Sequence, residues 1–127
     1  MSKKVLIVED EQLVAYLMET YVNSNGCSSV IGSVDNCEDA LELVNKEHPD
    51  VILMDVRIEG NKDGIETAIE INQHYNIPII YTSGNSDEKT TERAKKTNMI
   101  GFLVKPINKD ELRDLLCKDN LYTPKNI

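Results

Sequence analysis

The sequence predicts an α/β fold in which a doubly wound parallel sheet of five strands carries helices on both faces. Two observations predict this fold. Short apolar segments alternate along the chain with stretches whose apolar residues recur at helical spacing, and such alternation is typical of parallel strands joined by helical crossovers. The central segment, residues 51–54, consists of consecutive apolar residues, which indicates a strand buried on both faces of the sheet.

Each predicted strand is a short run rich in branched apolar residues. The second run is the weakest, and its polar residues suit the edge of a sheet. Pro78 lies near the start of the fourth run, where a missing amide proton is tolerated. The strands are predicted at residues 3–8, 27–33, 51–55, 77–81 and 100–104.

Capping residues and apolar periodicity predict the first three helices. The first helix is expected to end at the Asn25-Gly26 pair, because glycine is favoured just past a helix end. Asp35 followed by Glu38 resembles a capping box that opens the second helix. The third helix is predicted to begin near Asp63-Gly64 and to bury three apolar residues, Ile65, Ala68 and Ile69.

The last two predicted helices differ in how much apolar surface they offer. The fourth, at residues 87–97 after a serine cap, has only Ala94 as an interior apolar residue, so it should dock weakly and move easily. Asn108 with Glu111 caps the fifth helix, which turns three leucines, Leu112, Leu115 and Leu116, toward the sheet. We expect one domain over residues 1–118 and a frayed tail over residues 119–127.

Composition excludes several classes of protein. The chain has 127 residues, 40% hydrophobic and 28% charged, which suits one soluble domain. Its net charge of −8 argues against direct binding to nucleic acid. Its first apolar run is too short for a signal peptide, and no segment approaches the ~20 apolar residues of a membrane span. We therefore expect a cytoplasmic protein without membrane insertion, with its cysteines, Cys27, Cys37 and Cys117, reduced.

Polar side chains follow four of the predicted strands. The first strand is followed by Glu9 and Asp10, the third ends in Asp55, and Ser83 and Lys105 follow the fourth and fifth. If these strands are neighbours, the side chains converge at the carboxyl edge of the sheet. Oxygen ligands with room for water suit Mg²⁺, and a hydroxyl and an ammonium beside the metal suit a phosphoryl group.

Asp55 also has a plainer interpretation, which must be weighed against the chemical role that the polar residues at the strand ends suggest. A carboxylate directly after a buried strand often caps the following turn, and this stretch alone favours that role. The four strand ends taken together favour chemistry instead.

The motifs at these strand ends resemble those of the receiver domain of two-component response regulators. The resemblance covers roughly residues 3–118. Each motif is weak by itself, but all of them in order, each at the end of a strand or the start of the next helix, make a specific signal. The motifs are Val-Glu-Asp-Glu at 8–11, Leu-Met-Asp at 53–55, Asp-Gly-Ile at 63–65, Pro-Ile-Ile-Tyr-Thr-Ser-Gly at 78–84 and Gly-Phe-Leu-Val-Lys-Pro at 101–106.

The resemblance implies a flavodoxin-like sheet of strand order 2-1-3-4-5 and a phosphoacceptor at Asp55. It implies Mg²⁺ bound by Asp10, by Asp55 and by the backbone carbonyl of Arg57, with Glu9 acting through water. The family would take its phosphoryl group from a sensor histidine kinase or a phosphotransfer protein.

The resemblance also implies roles for residues on the fourth and fifth strands. Ser83 would donate its hydroxyl to the phosphoryl group and Lys105 would pair with it. Phe102 would act as the aromatic switch residue, and the peptide bond before Pro106 would be cis. Phosphorylation would then alter the surface of the fourth helix, fifth strand and fifth helix, which would bind a downstream protein target or a second copy.

The sequence departs from the commonest pattern of the family at several positions. Glu9 stands where Asp is more common, and Ser83 replaces the usual Thr. Thr82 is polar where an apolar residue is usual, so either hydroxyl is a candidate, with spacing to Lys105 favouring Ser83. The loop at residues 57–62 carries one extra residue before the Asp-Gly pair.

Two other functions compete with the phosphorylated switch. A Mg²⁺-dependent phosphohydrolase of similar fold usually has a second Asp two residues after its nucleophile, and here that position is Arg57. A pseudo-receiver, which binds partners without phosphorylation, has no need of the complete set of acids, hydroxyl and lysine. We therefore expect a receiver that transfers phosphate only to and from itself and is not otherwise an enzyme.

Overall fold

The structure, a computed structural model, describes residues 2–118 of the chain. The predicted tail at residues 119–127 lies outside the described residues. Within them, strands and helices alternate, and the strands form one parallel sheet of order β2-β1-β3-β4-β5. The strands are β1 (Lys3–Val8), β2 (Ser28–Val34), β3 (Val51–Asp55), β4 (Ile79–Ser83) and β5 (Met99–Val104). The predicted fold class and strand order are confirmed.

The central strand β3 separates two apolar layers. All five of its residues are buried, as the run of apolar residues predicts. Side chains alternate across the sheet, so Ile52 and Met54 pack on one face and Val51 and Leu53 on the other. The helices are α1 (Gln12–Asn23), α2 (Cys37–Glu47), α3 (Gly64–Asn72), α4 (Glu88–Lys95) and α5 (Lys109–Leu116).

Capping residues set the starts of the helices, in two cases differently from the prediction. Asn36, not Asp35, caps α2 and accepts a hydrogen bond from the amide of Asp39 at 2.9 Å, because the helix begins at Cys37, directly after Asn36. Asp87, rather than a serine, caps α4. Asn108 caps α5 as predicted.

The inward face of α3 is rotated relative to the prediction. Ile65, Ala68 and Ile71 are fully buried, whereas Ile69 is 45% exposed. The spacing i, i+3, i+6 follows one face of the helix as closely as the predicted i, i+3, i+4 does. The packing of α3 on the sheet decides between these two stripes, so the prediction for Ile69 is wrong.

The fourth helix is held mainly by polar contacts. Ala94 is its one buried residue, as predicted. Burial raises the pKa of Tyr81 to about 12, and its hydroxyl lies 2.7 Å from Oγ1 of Thr97, which in turn donates to the carbonyl of Ala94. Arg93 pairs with Asp63 at 2.9 Å. The contacts of Thr97 and Arg93 therefore anchor α4 to β4 and to the start of α3.

The cysteines correct another prediction. Cys27 and Cys117 form a disulfide with a Cα–Cα distance of 5.6 Å, whereas the odd count and the absence of a close pair in sequence predict three free thiols. The two residues are 90 positions apart, so only the tertiary fold brings them together. Cys37 is free and buried at the start of α2.

One further expectation concerns membranes. Within residues 2–118, no helix is both long enough and apolar enough to cross a bilayer.

Candidate functional site

The carboxyl ends of β1, β3 and β5 bring two acids and a lysine into contact. Glu9 directly follows β1, Asp55 ends β3, and Lys105 directly follows β5. The ammonium Nζ of Lys105 lies 2.9 Å from Oε1 of Glu9 and 3.2 Å from Oδ2 of Asp55. Parallel strands all end at the same edge of a sheet, which is why residues so distant in sequence meet.

A third acid joins this cluster. Glu9, Asp10 and Asp55 each offer a carboxylate oxygen, and these oxygens lie within 4.8 Å of one another. Glu9 and Asp55 are buried, while Asp10 is partly exposed. Three hard oxygen donors at this spacing, one of them open to water, fit a divalent cation such as Mg²⁺, which keeps several of its own waters when bound.

The backbone holds two of these carboxylates through short local turns. Oε2 of Glu9 accepts a hydrogen bond from the amide of Glu11 at 3.0 Å, and Oδ1 of Asp55 accepts one from the amide of Arg57 at 3.3 Å. Asp55 thus does cap the turn after β3, as its plainer interpretation predicts. Its second oxygen, Oδ2, faces Lys105, so the capping role and a chemical role are compatible.

Burial and charge act against each other in this cluster. Burial raises the pKa of Glu9, the hydrogen bond from Lys105 lowers it in part, and the nearby Asp55 raises it further, with a net upward shift. Burial would lower the pKa of Lys105, but the carboxylates of Glu9 and Asp55 outweigh it, so the pKa of the ammonium is raised. Lys105 therefore stays charged, and Glu9 is easier to protonate than an exposed glutamate.

The raised pKa of Glu9 predicts how stability depends on pH in metal-free protein. Because the folded pKa lies above the ordinary value of 4.5, the contribution of Glu9 to stability is complete below 4.5 and is lost as the pH rises through the folded pKa. In the presence of a chelator, Glu9→Gln should therefore be more stable than wild type at pH 7.

Urea unfolding from pH 4 to pH 8 tests this expectation. The advantage of Glu9→Gln should shrink toward the acidic end of the range, where wild-type Glu9 is itself protonated. The exposed Glu42 serves as the matched control, and Glu42→Gln should follow wild type at every pH. A Glu9→Gln variant that is less stable than wild type at pH 7 would contradict the assignment.

The cluster opens onto a pocket of about 420 Å³. Ser83 lines this pocket, and its Oγ accepts a hydrogen bond from the amide of Asn85 at 3.3 Å. Thr82 is fully buried and does not line the pocket. The geometry therefore places the hydroxyl of Ser83, rather than that of Thr82, where a ligand could reach it. The lining residues are Asp10, Glu11, Asp55, Arg57, Ser83, Gly84, Asn85 and Lys105.

Two of the predicted site residues lie beside the pocket rather than in its wall. Phe102 is partly buried on β5, and its ring centre lies 6.2 Å from that of Tyr81 on β4. Pro106 follows Lys105 through a cis peptide bond. The ring of Phe102 therefore contacts the strand that carries Ser83, while Pro106 adjoins the lysine of the cluster.

Gly64 supports the site but was not singled out from the sequence. Its amide donates to the carbonyl of Val56 at 2.7 Å, and a Cβ at this position would overlap the backbone carbonyl of Asp55. Its neighbour Asp63 caps α3 through a capping box. The Asp-Gly pair was a visible signal, but it indicated a helix start and did not reveal the close approach to Asp55.

Comparison with known proteins gives consistent sequence similarities. The sequence profile of the response regulator receiver domain family matches residues 5–117. The chain is 34% identical over 113 residues to the transcriptional regulatory protein KdpE of Staphylococcus aureus, covering 89% of this chain and 48% of that protein. It is 31% identical over 110 residues to the transcriptional regulatory protein PdtaR of Mycobacterium tuberculosis, covering 87% and 53%. The chain thus spans about half the length of these regulators.

Solved structures show the same similarity. The signal receiver domain of a modulated diguanylate cyclase from Desulfovibrio desulfuricans is 37% identical and superposes with a TM-score of 0.82 over 90% of both chains. The response regulator domain of Thermotoga maritima CheB superposes with a TM-score of 0.79 over 90% of both chains at 24% identity, which supports the fold alone.

Proposed function

The chain belongs to the response regulator receiver domain family, and on that premise we propose that it accepts a phosphoryl group on Asp55 with the help of Mg²⁺. The observation that carries this proposal is the ammonium of Lys105, which lies between the carboxylates of Glu9 and Asp55 at the edge of an open pocket. The donor would be a sensor histidine kinase or a phosphotransfer protein.

The acid cluster supplies the metal ligands of the proposal. Asp10, Asp55 and the backbone carbonyl of Arg57 would bind Mg²⁺ directly, and Glu9 would hold it through water. Bound there, Mg²⁺ would draw charge from the phosphoryl oxygens and reduce their repulsion from the carboxylates. The fit rests on the three carboxylate oxygens within 4.8 Å of one another.

The transfer itself requires only positioning and charge stabilisation. A carboxylate oxygen of Asp55 attacks the phosphorus of a phosphohistidine, and an oxygen–phosphorus bond forms. The phosphorus–nitrogen bond breaks, and its electron pair stays on the imidazole nitrogen of the donor. Lys105 pairs with one phosphoryl oxygen and Ser83 donates its hydroxyl to another, which neutralises the charge that the transfer brings into the pocket.

The new dianionic group would shift the elements that carry its partners. Ser83 ends β4, and Phe102 contacts this strand through Tyr81, so movement of Ser83 toward the phosphate would open space for Phe102. The helix α4 buries little apolar surface and is therefore easily repositioned. The surface of α4, β5 and α5 would then bind a downstream target protein or a second copy, in a cytoplasmic setting.

Acetyl phosphate with Mg²⁺, read by intact mass, tests the proposal. Wild type should gain the mass of one phosphoryl group, and the gain should disappear with a chelator. Asp55→Asn should gain nothing, because the amide is not a nucleophile for this transfer. The exposed Asp110 is the matched control, and Asp110→Asn should gain the same mass as wild type.

The same experiment separates the competing functions. A folded wild-type protein that gains no mass under these conditions would favour the phosphorylation-independent pseudo-receiver. A gain that persists in Asp55→Asn would place the phosphoacceptor elsewhere. Turnover of a generic phosphate ester by wild type would instead favour a phosphohydrolase.

A further inference from the structure

The disulfide joins two parts of the chain that lie 90 positions apart in the sequence. Cys27 lies between α1 and β2, and Cys117 is the residue directly after α5. The bond therefore fastens the carboxyl-terminal end of α5 to the turn before the edge strand. This end of the molecule lies at the amino-terminal edge of the sheet, opposite the acid cluster.

Hydrogen bonds surround the disulfide and tie the same elements together. The amide of Lys3, at the start of β1, donates to the carbonyl of Cys27 at 3.0 Å. The side chain of Lys3 donates to the carbonyls of Leu116 and Lys118, each at 2.8 Å. The end of α5 is thus held by one covalent bond and by the amino-terminal residue of β1.

The apolar core does not depend on this disulfide. Leu112 and Leu116 of α5 are already buried within an apolar cluster that includes residues of β1 and β3, and neither bonded cysteine belongs to the buried core. A domain of this size has enough core to fold without a staple. Opening the bond would therefore loosen the end of α5, which Lys3 and Leu116 would still hold, without unfolding the sheet.

The two bonded cysteines are also within reach of a reagent. Cys27 and Cys117 are both partly exposed, whereas the free Cys37 is buried. Thiol–disulfide exchange requires a thiolate to reach a sulfur atom along the bond axis, so access is decisive. The partly exposed pair satisfies this condition and the buried thiol of Cys37 does not.

We propose that Cys27 and Cys117 form a reversible thiol–disulfide site that clamps the end of α5 to the turn before β2. The reagent class is a small thiol and its disulfide, such as reduced and oxidised glutathione. This inference is independent of phosphoryl transfer, since none of its residues lies in the acid cluster.

The exchange balances in two steps. The thiolate of one cysteine attacks oxidised glutathione, forming a mixed disulfide and releasing one glutathione thiolate. The thiolate of the second cysteine then attacks the protein sulfur of the mixed disulfide and releases the second glutathione. In total the two cysteines lose two electrons and two protons, which the oxidant takes up as two thiols; reduction by glutathione runs the same steps in reverse.

Alkylation and intact mass provide the first test. Protein equilibrated in glutathione mixtures is quenched with acid, denatured and alkylated with N-ethylmaleimide. Wild type should take up three maleimides after reduced glutathione and one after oxidised glutathione, with a graded transition between. Cys37→Ser should take up two maleimides after reduced glutathione and none after oxidised glutathione, over the same transition. A protein that keeps three thiols in oxidised glutathione, or one that reduced glutathione cannot open, overturns the proposal.

Hydrogen exchange provides the test of the clamp itself. Reduction should speed exchange at least tenfold at the amide of Cys117, which donates to the carbonyl of Arg113, and leave unchanged the amide of Val56, which donates to β4. Cys27→Ser and Cys117→Ser should each match reduced wild type in any buffer. Equal exchange at Cys117 in the oxidised and reduced forms would show that the bond clamps nothing.

Discussion

Gly64→Ala is expected to lower the free energy of unfolding by about 3 kcal/mol. The added Cβ would overlap the backbone carbonyl oxygen of Asp55 and lie 2.9 Å from both its carbonyl carbon and Cγ of Met54. Backbone atoms of a central strand cannot rotate away as the end of a side chain can. The strand end or the start of α3 must therefore move. The hydrogen bond from the amide of Gly64 to the carbonyl of Val56 would then be lengthened.

Urea unfolding monitored by circular dichroism measures this loss. Gly84→Ala is the matched control, because a Cβ at Gly84 would have no heavy atom within 4 Å. We expect that variant to differ from wild type by less than about 0.5 kcal/mol. If Gly64→Ala were as stable as Gly84→Ala, the close packing of α3 against the end of β3 would be wrong.

The same substitution should also affect phosphorylation. Asp55 ends the strand that the new methyl group would push, and a displacement of about 1 Å in a reacting group can slow a reaction by roughly a hundredfold. At a temperature low enough for it to remain folded, Gly64→Ala should therefore gain a phosphoryl group from acetyl phosphate much more slowly than wild type. Equal rates would mean that Asp55 keeps its position.

Lys105→Met is expected to lower the free energy of unfolding by about 2 kcal/mol in metal-free buffer at pH 7. Among the described residues, Lys105 is the only cation paired with Glu9 and Asp55. The side chains of Glu9 and Asp55 are 0% and 5% exposed. Removing the ammonium would leave two buried carboxylates that water can barely solvate and that repel each other.

A surface lysine supplies the control for this loss. Lys62 pairs with Glu70, but its side chain is 50% exposed, and such pairs contribute about 0.5 kcal/mol or less. Lys62→Met should therefore leave stability nearly unchanged. A loss for Lys105→Met no larger than that for Lys62→Met would show that the buried acids do not depend on the ammonium.

Magnesium should repair part of the deficit in Lys105→Met. A divalent cation bound to the acid cluster would neutralise the charges that the lysine no longer balances. Titrating Mg²⁺ should therefore stabilise Lys105→Met more than it stabilises wild type. A deficit that stays constant as Mg²⁺ is added would contradict a metal site at Glu9, Asp10 and Asp55.

The order of strands and helices was predictable because their signals are local. Consecutive branched apolar residues before Asp55 and periodic apolar residues elsewhere indicate element type whatever the neighbours are. The boundaries were less predictable, since β4 begins at Ile79 and Asn36 rather than Asp35 caps α2. Two adjacent residues, Asp35 and Asn36, can both serve as a cap, and the first residue of the helix in the folded chain selects Asn36.

The composition of the site was also predictable, although its contacts were not. Polar residues at successive strand ends indicate Glu9, Asp55 and Lys105, because the carboxyl ends of parallel strands share one edge. The sequence does not indicate that Lys105 touches both acids, nor that Ser83 rather than Thr82 reaches the pocket. Those facts depend on strand register and twist, which set the distance between side chains.

The amino-acid sequence by itself determined the parallel α/β architecture and the identity of the polar residues at the carboxyl edge of the sheet, because the hydrophobic period and the polar residues at strand ends are visible in short stretches of neighbouring residues. Only the tertiary structure decided that Gly64 must lack a side chain and that Cys27 lies beside Cys117. Both depend on the approach of segments far apart along the chain, and such distances follow from how the helices pack on the sheet.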